Sequence, residues 1–180
     1  MNIAGLRARS FRLANHESFG FNRIARNFCG ARHGSLGFLT HPDPRRSPET
    51  LRCLEWMQGL LAREAVILLP EIADYEERRE YLRRGSGRSL AKLDALKEIH
   101  DYLPLSTSTM QSAAALWARL RQEGNVTADP KELDGDVILC AQVIEAVQAR
   151  GFSTRDVVVA TTNVGHLSWM LPADLWENIA

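Results

Sequence analysis

The chain has 180 residues, 45% hydrophobic and 24% charged, a composition that suits one globular core and excludes a fibrous or low-complexity chain. No apolar run approaches the roughly eighteen residues that span a bilayer, which argues against a membrane helix. Its 22 basic and 22 acidic residues cancel, but residues 1–33 hold six arginines and a single acid, Glu17, so the remainder is acidic by the same margin.

Residues 1–33 show no sustained apolar period, and we expect them to be a poorly ordered basic segment. Such a segment has the charge of a nucleic-acid arm or a transit peptide. The stretch "GSLGFLTHPDP" (34–44) is a short apolar piece ending in proline-rich turn chemistry. Ser47-Pro48 is a good cap and first helical residue, and predicts a helix to about Arg63. "AVILL" (65–69) is a continuous apolar run of strand length, as in a parallel sheet covered on both faces. Pro70 then opens the helix "EIADYEERREYLRR", which "GSG" (85–87) breaks. "SLAKLDALKEIHDYL" predicts another helix, with a short strand around Leu103 to Leu105. "STSTMQSAAALWARLRQEG" reads as a helix capped by Ser or Thr and closed by Gly124. From Asp134 a helix carries Val137, Cys140, Ala141, Ile144 and Val147 at helical spacing and ends at Gly151. "DVVVAT" (156–161) is a second buried strand, followed by a polar turn.

Strands alternating with helices predict a parallel α/β sheet. The three cysteines, Cys29, Cys53 and Cys140, are far apart and odd in number. They argue against a disulfide framework or a CxxC metal site and fit a reducing, cytoplasmic setting. Asn125-Val126-Thr127 has the form of a glycosylation sequon, which we read as chance.

In open parallel sheets ligands bind at the carboxyl ends of the strands. The strand ends near 69 and 161 and the helix starts near 71 and 134 should therefore converge. Asp134 and Asp136 are at that edge. One helix needs one N-cap, and residues two apart point about 200° away from each other, so the two acids have different roles. Glu76 lies one turn after Ile72, on the apolar side of its helix, and either pairs with Arg79 or looks into a cleft. Thr161, Thr162 and Asn163 follow the last strand, as turn formers or as oxygen donors. Together these groups are hard oxygens, which suit Mg²⁺ or Mn²⁺, ions that activate water and stabilise both oxygens of a phosphodiester displacement. The five histidines lack metal-like spacing, and His166 reads as a loop residue behind the ligands. "RRGSGRS" follows a helix and so is no phosphate loop. Arg78, Arg79, Arg83, Arg84 and Arg88 form either a solvated face or a row of phosphate contacts.

With these residues placed, the chain from Gly34 to about Trp176 resembles a PIN domain of the VapC-like endoribonuclease type. The resemblance rests on "GSLGFLTHP", "LLPEIADYEERRE", "LDGDVILCAQ" and "VVVATTNVGHL", in that order. It implies a PIN-like three-layer sandwich over residues 34–180, with a central parallel sheet flanked by helices. It also implies a Mg²⁺- or Mn²⁺-dependent single-strand RNA endonuclease, often paired with a cognate antitoxin protein and commonly a homodimer. By that resemblance Glu76, Asp136 and Asn163 are the catalytic residues, and Asp136, Glu76 and Asp134 surround the metal, Asp134 chiefly as a cap.

One family residue is absent. The family opens with an apolar strand ending in aspartate, whereas this chain reads "NFCGARHGSLG", with Arg32 about where the aspartate belongs. An arginine there repels a cation. We therefore expect residues 1–33 to derive from a shifted or wrongly joined reading frame, the central first strand to be lost, and the nuclease to be impaired. The competing expectations are an inactive PIN scaffold that binds RNA or an antitoxin, and a generic α/β domain whose acids are caps.

Overall fold

The computed structural model describes residues 27–30, 34–127, 129, 134–162 and 164–179. Five parallel strands lie in the order β3-β2-β1-β4-β5. They are β1 (Asn27–Gly30), β2 (Ile67–Pro70), β3 (Asp101–Leu103), β4 (Val157–Ala160) and β5 (Ala173–Asp174). The helices are α1 (Ser35–Leu39), α2 (Pro48–Ala62), α3 (Glu71–Arg84), α4 (Gly87–Ile99), α5 (Thr107–Gln122), α6 (Gly135–Ala149) and α7 (Val164–Leu167).

Alternation along the strands divides the core into the two outer seams of the sandwich. Leu68, Val157 and Val159 face a cluster that includes Leu116 and Leu120 of α5 and Val143 and Val147 of α6. Ile67 and Ala160 face the other side, against Leu39 of α1, Cys53, Met57 and Leu60 of α2, and Trp176. Trp176 is held between Phe38 and Trp56, whose rings stand 6.2 and 5.7 Å from it. This is the expected three-layer α/β sandwich. Among the described residues no helix is long and apolar enough to cross a membrane.

Local signals explain most boundaries. Ser47 accepts from the Thr50 amide and starts α2, and Ser106 accepts from the Thr109 amide and starts α5. Gly85 closes α3 with φ of 66°, the left-handed conformation that favours glycine. Two expectations need correction. The helix predicted to run to Leu103 stops at Ile99, and Asp101–Leu103 is a strand paired with Leu68–Pro70 of β2. The expected loss of the first strand also fails for residues 27–30. They form β1 at the sheet centre, with Cys29 opposite Leu68 on one side and Val159 on the other. Asn and Gly are poor strand formers, but pairing along both edges outweighs local preference. The remainder of the basic segment lies outside the described residues.

Candidate metal centre at the carboxyl edge

The directions of α3 and α6 decide what meets at the carboxyl edge. α3 starts immediately after β2, and only His100 separates α4 from β3, which runs parallel to β2. α4 must therefore travel toward the amino edge of the sheet. α3, joined to it by the tight turn at Gly85 and Ser86, must climb away from the carboxyl edge. α6 runs the opposite way. Its last turn reaches the start of β3, where Arg150 pairs with Asp101 at 3.1 Å.

One side chain fixes the two helices at the sheet edge. The buried Gln142 accepts from the Ile72 amide at 3.2 Å and donates to the Leu103 carbonyl at 2.5 Å. Glu76 lies four residues beyond Ile72, about 6 Å along α3, and Asp136 lies six residues before Gln142, about 9 Å along α6. Both carboxylates thus stand on the same side of the sheet edge. Glu76 is half-buried and falls between the buried Ile72 and Ala73 around the helix.

Asp134 and Asp136 divide their roles as their spacing requires. Asp134 is the N-cap of α6, accepting from the Val137 amide at 3.2 Å, and its other oxygen accepts from the Thr127 hydroxyl. Asp136 sits in the first turn, only 6% exposed. His166, on α7 just past β4, places Nδ1 3.9 Å from its Oδ2. The imidazole also leans on the Trp169 ring, 5.2 Å away. One turn below, burial pushes the Cys140 thiol well up, and the charges of Asp136 and Asp134 push it the same way. The end of β4 is closed by the Ser35 hydroxyl, which donates to the Ala160 carbonyl at 3.3 Å. Thr161 is fully buried and its amide donates to Asp174 at 3.0 Å. Asn163 and Arg32 lie outside the described residues.

The arginines of α3 are engaged. Arg78 holds Asp74 with two nitrogens, at 3.0 and 2.8 Å, and reaches Asp94 at 2.7 Å. Arg83 and Arg84 both pair with Glu80. Arg79 stands over the Tyr75 ring at 5.6 Å.

Sequence reasoning missed Gln142, whose apolar helix face suggested only packing, and Glu77. Glu77 is 6% exposed, more buried than Glu76. It lines a cleft of about 340 Å³ with Gly37, Phe38, His41 and Tyr81. Gly37 stands opposite it, where a Cβ would lie 3.4 Å from the carboxylate, an ordinary contact.

Hard oxygens at a cleft suit a divalent ion. Among the described residues, however, no three His, Cys, Asp or Glu side chains group closely enough to hold a metal. The donor types fit such an ion.

No protein-family model matches the chain, and no curated protein matches it. Among solved structures it is similar to a chain of VapBC2 from Rickettsia felis bound to a DNA fragment from their promoter. The TM-score is 0.56 at 15% identity, over 83% of this chain and 98% of that one. The fold is therefore PIN/VapC-like.

Proposed function

We propose that the chain is a PIN-type single-strand RNA endonuclease whose divalent-metal site is impaired. The observation that carries this reading is the placement of Glu76 and Asp136 beyond one sheet edge, on helices pinned together by Gln142. In this reading Asp136 and Glu76 hold Mg²⁺ or Mn²⁺, Asn163 adds an amide oxygen, and Asp134 keeps the α6 start rigid. The bound ion would supply Lewis acidity and an activated water. Asp136 and Glu76 would orient it, and His166 would restrain Asp136. In the sequence, Arg32 falls about where the family carries aspartate, and a cation at that place would oppose the ion electrostatically. A protein partner of antitoxin type and a homodimer are part of the same reading. The VapBC2 similarity motivates the first.

A second reading is a scaffold that binds RNA or an antitoxin without cutting. The absence of a three-residue metal group among the described residues favours it. One substitution separates the two. Because β1 is present, repair needs only Arg32→Asp rather than a rebuilt strand. The variant should gain Mg²⁺-dependent cleavage of single-stranded RNA, lost again on adding Asp136→Asn. A stable, well-folded Arg32→Asp protein that cuts no RNA would leave the binding scaffold as the better reading.

A further inference from the structure

Three large aromatic side chains are exposed among the described residues: Tyr75 at 52%, Phe152 at 42% and Trp169 at 45%. Two of them flank the acidic edge. Tyr75 precedes Glu76 on α3, with the Arg79 guanidinium over its ring. Trp169 carries His166 on its ring, and His166 faces Asp136. Phe152 follows the end of α6, at the opposite edge of the sheet.

An acidic edge repels the phosphates of an approaching RNA, so another attraction must hold the strand there. The usual one, a row of cations, is weakened here, since Arg78, Arg83 and Arg84 are neutralised by Asp74, Asp94 and Glu80. Stacking of unpaired bases on aromatic rings supplies attraction that does not depend on charge and tolerates any base. Arg79 and His166 each lie against one side of these rings, which keep about half of their surface exposed for a base.

We propose that Trp169 and Tyr75 are stacking platforms that seat unpaired nucleobases of single-stranded RNA on either side of the Glu76–Asp136 edge. The proposal rests on the RNA-nuclease reading above. It assigns base stacking, rather than phosphate neutralisation, as the source of affinity, so an unstructured strand is held and a duplex is not.

The test is fluorescence anisotropy with a labelled short oligoadenosine in EDTA, which reports binding without cleavage. Trp169→Ala should weaken binding about tenfold, within the 5- to 150-fold that corresponds to roughly 1–3 kcal/mol per stacked base. Tyr75→Ala should weaken it less, Trp169→Phe should retain most of it, and Phe152→Ala should match the parent. An abasic strand of equal length should bind the parent and Trp169→Ala alike. If the parent binds oligoadenosine and both alanine variants bind equally well, the platforms are overturned while the RNA reading stands. If abasic and adenosine strands bind the parent equally, stacking is overturned. If the parent binds no RNA, both readings fall together.

Discussion

α3 and α6 both bring acids to the carboxyl edge, but they treat them differently. α3 carries its acids among arginines: Asp74 is gripped by Arg78, and Glu80 by Arg83 and Arg84. α6 contains no lysine or arginine from Gly135 to Ala149. Its two acids at this edge are placed instead by the helix start, where Asp134 caps and Asp136 benefits from the positive end of the helix dipole. An acid count alone therefore says little about a site. The informative feature is a buried acid on a helix that offers no cation of its own, beside a second helix on which two of the five acids, Asp74 and Glu80, are paired with arginine.

Gln142 is the joint of that comparison, and removing it should have the largest effect. Gln142→Leu leaves the Ile72 amide and the Leu103 carbonyl buried without their partner. Two such orphans cost about 2–6 kcal/mol together, read as a lowered urea midpoint. Because α3 and α6 would then lose their common anchor, Mn²⁺ affinity should fall as well, although residue 142 touches no ion. Stability lost with affinity intact would show that the two helices hold their positions without it.

Asp134→Ala should cost less, about 1 kcal/mol, the usual value of an N-cap. Its effect on Mn²⁺ affinity should be small, since both oxygens already accept protein hydrogen bonds. Asp136→Asn should behave in the opposite way, with thermal stability maintained and affinity reduced. A reversal of these two patterns, followed by thermal unfolding and calorimetry, would exchange the roles of the two acids.

The division between Asp134 and Asp136 was legible in the sequence because it follows from local geometry: one cap per helix, and a fixed angle between residues two apart. The same is true of the serine caps that start α2 and α5 and of Gly85 and Gly124, which follow the ends of α3 and α5, since each acts within a turn. The position of Glu76 on the buried side of α3 was legible through its spacing from Ile72. What the sequence concealed depends on distant partners. β1 exists because β2 and β4 pair with both of its edges, and nothing in "NFCG" announces that. Gln142 sits on an otherwise apolar helix, and its value lies in two backbone groups 39 and 70 residues away. Glu77 is buried with Gly37 of α1 opposite it, a relation that no window of α3 contains. The helix overrun into β3 has the same origin, since Asp101–Leu103 is extended only through its pairing with β2.

The central claim is that Glu76 and Asp136 act on one ion across two helices. Calorimetric titration of Mn²⁺ into the parent, Glu76→Gln, Asp136→Asn and the double variant tests it most directly, with unfolding curves confirming that all four are folded. Each single change should weaken binding by at least about tenfold, as even outer-shell changes at metal sites do. The double variant should be little worse than the poorer single, because losses at a shared ion are not additive. Unchanged affinity in both single variants, or losses that simply add, would contradict a shared site and return these acids to capping and surface pairing.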